Sequence, residues 1–460
     1  MKIKLNPYIK WGGMLLVFCL CIYGAYSISM GNAPDEEMRY QVPYFILEKG
    51  YLPYGNEEAI RNAIWGFSYA YTPYFPSLIA VGFMKLFSIF TTSQSLLLFS
   101  ARLVSVFSGA FTWLICCKIG ERLFKKQTQI ILFATLVCFL PQFIFLSSYL
   151  NNDSFAVMVS GFIIYLWIKG DQENWQYKDC VLLGISIGLC ALTYYNAYGF
   201  ILCSIFFYGF SVRKKQMNWK EIWLRVGIIF VSGFLVAGWF FIRNMILHKG
   251  DMLGMKTMYE DGQIFALDPY KPTNRNTPKN LGLDFYTTFF GTYYAPINWF
   301  KNSYTSFIGV FGFMAYRLKD WVYSIYTIIF GTGLVSGIAF WIKNVKRNRT
   351  VSWNLLLNLL LCIFIPIALS LYYSYMTDFQ PQGRYVMAAL IPVMIIITYG
   401  VSGISEFKVG RFSLQWLIIL LIGVYLVLFG YAYWLVMIPS CLDNMSYLTP
   451  NMLNIISEKY

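Results

Sequence analysis

Charge is scarce in this sequence. Asp, Glu, Lys and Arg make up 13% of its 460 residues, about half of the ~25% usual in soluble domains. Histidine is almost missing, with His248 the single one. That removes any multi-histidine metal site, and His248 itself reads as an interfacial residue at a helix end. The cysteines, 10 in all, form no CxxC pair and no Cys/His ligand spacing, so neither a zinc site nor a disulfide framework is indicated. Most lie in apolar runs (Cys19, Cys21, Cys138, Cys190, Cys362), and only Cys441 is expected on the outer side. No P-loop and no GxGxxG after a strand is present, so no nucleotide site is indicated. No internal repeat is visible either, which weakens a secondary-transporter reading.

What is abundant is apolar surface. Hydrophobic residues reach 58% and aromatics 20%, against the ~45–50% apolar content usual in soluble domains. An ordinary cytosolic enzyme and a disordered chain are both excluded. A bilayer-spanning helix needs about 20 mostly apolar residues. Spans are expected at Trp11–Met30, Leu97–Lys118, Gln129–Tyr149, Ser154–Ile168, Cys180–Tyr194, Ala197–Val212, Val226–Leu247, Trp321–Ile342, Trp353–Tyr375, Tyr385–Gly403 and Phe412–Val436. The fold class is therefore an all-α membrane protein, a polytopic bundle of about 11 transmembrane helices. The first run is longer than the ~7–15 residues of a signal h-region and reads as a retained anchor.

Basic residues concentrate on one set of connections: Lys2–Lys10, Lys118–Lys126, Lys169–Lys178, Arg213–Arg225, Lys343–Arg349 and Lys408–Arg411. Counted with the flanking Asp179 and Glu406, these carry the whole net charge of +14. Positive loops stay cytoplasmic, so the N-terminus is inside and the C-terminus outside. This placement accounts for the basic balance without a nucleic-acid partner. Parity then makes Phe75–Phe90 an interfacial or re-entrant helix on the outer face. Ser303–Leu318, too short to span, docks from outside. Three parts are expected: residues 1–247, a transmembrane module with a first outer loop at 31–96; residues 248–320, a polar and only partly structured outer loop; and residues 321–460, the C-terminal transmembrane helices. The polar mass lies outside, and so should the chemistry.

Three groups of outer residues carry that chemistry. Ala33-Pro34-Asp35-Glu36-Glu37 follows the first helix directly. Carboxylates at an apolar helix end are costly unless solvated, paired or used, and one there can act as a general base toward a hydroxyl or amine. A solvated helix-end cluster is the plainer account of the same residues. Asn151-Asn152-Asp153-Ser154 forms a very short outer turn, where Asp153 either caps the next helix or joins Asp35 in a shared site. The Asn-Asp-Ser glycosylation pattern there hugs the membrane and is discounted. The third group is basic: Arg102 near a helix end, Arg243-Asn244 closing a helix, and Gln382-Gly383-Arg384-Tyr385 opening one. Arginine favours phosphate and carboxylate in bidentate geometry, although helix-end arginines also snorkel to water. Arg384 is the least ordinary, beside Gly383 and near Asp378. Tyr194-Tyr195-Asn196 makes a further outer turn whose rings and amide suit a sugar or simply an interface.

In order along the chain come the basic N-terminus, one helix, Pro34-Asp35-Glu36, Ala101-Arg102-Leu103, Leu123-Phe124-Lys125, Asn152-Asp153, the run Trp239 to Asn244, and Gln382-Gly383-Arg384-Tyr385. The ordered set resembles the GT-C superfamily of integral-membrane glycosyltransferases over Trp11 to about Tyr399. It is similar to the bacterial branch with aminoarabinose and galacturonic acid transferases, and to protein O-mannosyltransferases. The resemblance implies a polyprenyl-phosphate-linked sugar as donor, presented outside, and inversion by direct displacement onto a glycan, lipid or protein acceptor. It implies that Asp35, with Glu36 beside it, acts as base or orients the acceptor, and that Asp153 is the second acid. It implies that Arg384, and with it Arg243, holds the lipid phosphate. Tyr385, Arg102, Tyr195 and Asn196 complete the expected substrate contacts. No cofactor is certain, and a divalent cation stays open because relatives differ in metal use. Several relatives carry a His-Pro-Pro in the first outer loop; here the run is Tyr71-Thr72-Pro73-Tyr74-Phe75-Pro76, without His. The short C-terminus argues against an oligosaccharyltransferase-like enzyme with a large outer domain. Two rival readings stand beside this one. A flippase or transporter for lipid-linked glycans would want charge at the bilayer midplane. A non-enzymatic binding protein would make the acids dispensable.

Overall fold

The computed structural model describes residues 3–292, 297–346, 352–409 and 412–442. Its helices, in chain order, are α1 (Pro7–Ser27), α2 (Glu36–Lys49), α3 (Phe75–Ser88), α4 (Gln94–Leu123), α5 (Gln127–Cys138), α6 (Pro141–Leu146), α7 (Asp153–Glu173), α8 (Tyr177–Ala191), α9 (Gly199–Lys214), α10 (Trp219–Leu247), α11 (Met255–Phe265), α12 (Phe285–Phe290), α13 (Trp299–Gly309), α14 (Asp320–Lys346), α15 (Trp353–Met376), α16 (Leu390–Ser405), α17 (Trp416–Gly430) and α18 (Ile438–Leu442). A 3₁₀ stretch, Gly383–Ala389, leads into α16, and a π-helical stretch, Tyr431–Met437, joins α17 to α18. Two antiparallel ribbons of two-residue strands are the sheet content of the described residues, one pairing Val310–Phe311 with Tyr316–Arg317.

Nine of the described helical runs are long and apolar enough to cross a membrane. The chain is a multi-pass membrane protein. Two further expected spans take another form. Gln129–Tyr149 is split, because Pro141 lacks the N–H that would continue α5, and the chain restarts as the 6-residue α6. Cys180–Tyr194 becomes the 15-residue α8. Both still carry the chain from one end of the bundle to the other. Asp35, after α1, and Asp153, opening α7, lie close together, so α5 and α6 must return what α4 carried away. The loop after α8 likewise comes back to Asn152.

Small residues let the helices approach closely, the usual means of packing inside a bilayer. A Cβ on Gly184 would lie 2.3 Å from the Ile229 carbonyl oxygen, and one on Gly188 would lie 2.7 Å from that of Gly233, which seats α8 on α10. Gly337 does the same for α14 on α16, 2.1 Å from the Ile396 carbonyl oxygen. The tightest core is α4 to α7, where Phe133, Phe143, Phe145 and Trp167 are fully buried.

The short helices gather at one end. α2 and α3 pack together and against α4, and neither α3 nor α13 spans, as their lengths predict. The segment expected to be only partly structured, 248–320, contains α11, α12, α13 and the Val310–Arg317 ribbon. It lies across the same end: the Gln142 side chain accepts from Val310 N at 2.9 Å, and the Ser306 hydroxyl accepts from Gly383 N at 2.6 Å.

Candidate active site

Asp35 sits in the turn between α1 and α2 with φ +60°, a left-handed conformation that few side chains adopt and that Asp tolerates better than most. The turn is pinned from outside, since Asn32 Nδ2 donates to the Cys441 carbonyl at 3.0 Å. The Asp35 carbonyl accepts from Arg39 N at 3.0 Å, which starts α2 and puts both side chains on one face. The second acid is placed by a knot of amides. Asn151 Nδ2 donates to the carbonyls of Leu146 (2.5 Å) and Tyr149 (2.8 Å). Asn152 Nδ2 donates to those of Pro73 (3.1 Å) and Thr193 (2.7 Å), tying three loops together. Asn152 is thereby buried and used, which leaves the Asn-Asp-Ser pattern no free acceptor. Asp153 follows as the first residue of α7, where the helix dipole favours a carboxylate.

Arg384 closes the group. Its guanidinium donates to Asp35 Oδ2 at 2.5 Å, to the Pro34 carbonyl at 3.3 Å and to the Tyr385 hydroxyl at 2.9 Å. It is 4% exposed, and its Nε is buried without a partner among the described residues. Arg39 is a second buried cation, 8% exposed, 4.6 Å over the ring of Tyr69, with its own Nε unpartnered. Both guanidiniums are within electrostatic reach of Asp153, which is 2% exposed and has neither carboxylate oxygen hydrogen-bonded among the described residues. Burial works to raise the Asp35 carboxyl, but Arg384, Arg39 and a hydrogen bond from the Tyr69 hydroxyl overcome it and hold the group below the ordinary carboxylate range.

Asp35, Arg39 and Tyr69 border a cavity of about 600 Å³; Asp153 and Arg384 do not line it themselves but adjoin in sequence two residues that do, Asn152 and Tyr385. Asp35, Arg39, Asn152, Tyr194, Tyr195, Asn196 and Tyr385 line its polar part; Trp65, Phe67, Tyr69, Met38, Met255, Met258 and Tyr259 line an apolar part. The end of α15 supplies Leu369, Tyr372 and Tyr373, which face outward as well as inward, being 44%, 57% and 40% exposed. These side chains give the cavity an apolar flank. Arg275 and Asp378 also line it.

The structure therefore brings together Asp35, Asp153, Arg384, Tyr385, Tyr195 and Asn196. Three expected site residues lie elsewhere. Glu36 points away from the cavity and is fully buried; its two oxygens accept from Arg102 Nε (2.7 Å) and a terminal guanidinium nitrogen (2.5 Å), and also from Leu150 N (2.8 Å). Arg102 spends its remaining donor on the carbonyls of Ala25 and Ile28. The pair fastens α4 to the turn behind the site and leaves no atom for a substrate. Arg243 lines a different pocket, beside Tyr51 and Trp239, and donates to the carbonyls of Leu52 (3.0 Å) and Pro53 (2.7 Å). Sequence reasoning missed Arg39, whose one signal was its position four residues after Asp35.

Comparison with known proteins follows the same lines. A family model described as dolichyl-phosphate-mannose-protein mannosyltransferase matches residues 72–239, a stretch that takes in Asp153 but neither Asp35 nor Arg384. The archaeal oligosaccharyltransferase AglB from Archaeoglobus fulgidus, in complex with an inhibitory peptide and a dolichol-phosphate, superposes with a TM-score of 0.57 at 12% identity, over 98% of this chain and 60% of that one. The chain shares its fold with this enzyme. The apo form of the Archaeoglobus enzyme gives a TM-score of 0.54 at 13% identity, over 99% of this chain and 60% of that one. ArnT from Cupriavidus metallidurans, bound to undecaprenyl phosphate, gives 0.48 at 12% identity, over 94% of this chain and 74% of that one. The chain thus spans 60% of the length of the archaeal GT-C enzyme. No curated protein sequence matches the chain.

A divalent cation, left open by the GT-C resemblance, does not fit this donor set. The unpartnered oxygens of Asp153 would accept one, but Asp35 is turned to Arg384, two guanidiniums already supply positive charge, and no group of three or more His, Cys, Asp or Glu converges among the described residues.

Proposed function

We propose that the chain is a membrane glycosyltransferase that moves a sugar from a polyprenyl-phosphate donor to an acceptor, which is a glycan, lipid or protein of the cell envelope, by inverting displacement at the extracytoplasmic face of the plasma membrane. The observation that carries this reading is a cluster of buried charge, the Arg384–Asp35 ion pair with Arg39 and Asp153 in electrostatic reach, whose Asp35 and Arg39 open onto a cavity with an apolar flank. Buried guanidiniums with unpartnered nitrogens offer a phosphate the charge and donors it needs. As the anomeric carbon–oxygen bond breaks, negative charge grows on the departing phosphate, and fixed cations there lower the barrier. The donor's phosphate ester supplies the driving force, so the lack of a nucleotide motif is consistent. A carboxylate in the cavity takes the acceptor's proton; Asp35 and Asp378 both line it. Tyr194, Tyr195, Asn196 and Trp65 offer ring faces and an amide to sugar hydroxyls.

Orientation is argued from charge. The basic connections lie at the end of the bundle away from the cavity, among them Lys169 paired with Asp179 and Arg122 paired with Glu173. By the positive-inside rule that end is cytoplasmic. The names of the related family and of the AglB complex, which contain dolichyl phosphate, support a lipid phosphate in this cavity. A flippase is less well supported, because the acids and arginines cluster at one end rather than at mid-span.

The test is direct. The purified chain in lipid nanodiscs is given labelled polyprenyl-phosphate sugars with native membranes as acceptor source, and free polyprenyl phosphate is measured. Release by the parent protein and its loss in Asp35→Asn and Arg39→Gln support the transferase. Movement of intact donor across the bilayer, with no release, would make it a transporter.

A further inference from the structure

Asp378 lies in the turn between α15 and the Gly383–Ala389 stretch and faces the cavity. It is half-buried, and among the described residues it forms no ion pair within 4 Å. One side is held: Gln380 Nε2 donates to its Oδ2 at 2.6 Å. Gln380 in turn accepts from the Tyr385 hydroxyl, which accepts from Arg384, which donates to Asp35. A continuous chain of hydrogen bonds thus joins the two cavity carboxylates, and the two ends differ. Asp35 is spoken for by Arg384. Asp378 has an oxygen left for a ligand. Arg275, over the face of Trp65 at 5.2 Å, lines the same cavity and acts on Asp378 electrostatically, with no ion pair between them within 4 Å among the described residues.

We propose, resting on the transferase reading above, that Asp378 is the general base of the reaction. An acceptor hydroxyl placed between Asp378 and Arg275 gives its proton to the free Asp378 oxygen. The acceptor oxygen forms the new bond to the anomeric carbon, the bond from that carbon to the phosphate oxygen breaks, and the electron pair leaves on the phosphate beside Arg39 and Arg384. Asp378 later releases the proton to water. Asp35 is then a positioning residue that orients Arg384.

The electrostatics agree with the geometry. Burial raises the Asp378 carboxyl, Arg275 and the Gln380 bond oppose the rise, Asp35 adds to it, and the net is upward. Asp35 is held down. A base with the higher affinity for protons is the better acceptor of one. The groups facing Asp378 are Arg275 from the outer segment, Asp35 from the turn before α2, Tyr373 from α15 and Gln380 from its own turn.

Two measurements test this. In the transfer assay, Asp378→Asn should lower turnover by about 10²- to 10⁴-fold and remove the acid limb of the pH profile, while Asp378→Glu restores part of the rate. Turnover and an acid limb like the parent's in Asp378→Asn would overturn the proposal and leave the transferase reading intact. The second measurement needs no substrate. A hydrophobic carbodiimide, which reacts with protonated carboxyls, is applied to the full chain in nanodiscs, and the modified residue is found by peptide mass spectrometry. Asp378 should be labelled increasingly as pH falls, ahead of Asp35. Labelling of Asp35 ahead of Asp378 would sink the assignment even if transfer is never observed.

Discussion

Arg384 and Asp35, 349 positions apart in sequence, meet at 2.5 Å between the Arg384 guanidinium and Asp35 Oδ2. That contact joins the first outer turn to the last third of the chain and sets the cation beside Tyr385, which lines the cavity. Arg384→Gln should abolish transfer and also lower stability, by about 1–3 kcal/mol, the usual cost of orphaning a charged hydrogen-bond partner. The cost stays below that of a sealed pair because the Asp35 side chain is 30% exposed. The sign of the pH effect follows. Asp35 is held below its unfolded value, so the pair's contribution is present above the ordinary carboxylate range and is lost as pH falls through the lowered value. Acid denaturation of parent and Arg384→Gln should therefore converge at low pH, read by tryptophan fluorescence.

Glu36 and Arg102 behave differently. Both are sealed, at 0% and 3% side-chain exposure, 2.5 Å apart. Breaking such a pair leaves an uncompensated buried charge and costs about 3–5 kcal/mol. Glu36→Gln should reduce the yield of folded protein and its melting temperature, while the folded fraction keeps the parent's affinity for donor. A normal melting temperature with lost donor affinity would return Glu36 to the substrate site.

Asp153 carries the reverse expectation. Among the described residues neither Asp153 oxygen is hydrogen-bonded; a carboxylate so buried is costly, and such cost persists where function requires it. Asp153→Asn should melt no lower than the parent, yet transfer should fall by tenfold or more, equivalent to about 1.4 kcal/mol of transition-state stabilisation. A variant that loses stability and keeps its activity would make Asp153 a structural residue.

Much of this arrangement could be read from the sequence. Apolar length located nine helical runs long enough to span, and two of the eleven expected spans took another form. Of the ordered set, Asp35 and Arg384 meet in an ion pair and Asp153 lies within electrostatic reach of both. What failed did so for physical reasons. A run such as Gln129–Tyr149 looks continuous because Pro141 is flanked by apolar residues, and only the geometry shows the break. Glu36 and Asp35 are neighbours in sequence, but the left-handed Asp35 sends one side chain to the cavity and the other into the core. Arg39 reads as the polar face of an amphipathic helix, and its burial depends on Tyr69 and on loops distant in sequence. Whether an arginine is spent or free, as with Arg102 against Arg384, depends on carbonyls that no motif encodes.

Arg243 is the clearest instance and gives the last prediction. Its guanidinium ties the end of α10 to the Leu52–Pro53 bend and packs 5.7 Å from the ring of Tyr54. The neighbouring Asn244 donates to the Tyr71 carbonyl at 3.0 Å, so the two residues together clamp the first outer segment on both sides. Arg243 does not line the cavity that holds Asp35. Arg243→Gln should loosen residues 50–56, seen as faster amide exchange there. Because that segment does not carry the reacting groups, the apparent affinity for a polyprenyl-phosphate donor should change little. Arg39→Gln should do the opposite, weakening donor binding without altering exchange at 50–56. If Arg243→Gln instead raised the KM for donor as much as Arg39→Gln does, the lipid phosphate would have to reach as far as α10, and the anionic site would extend beyond the cavity described.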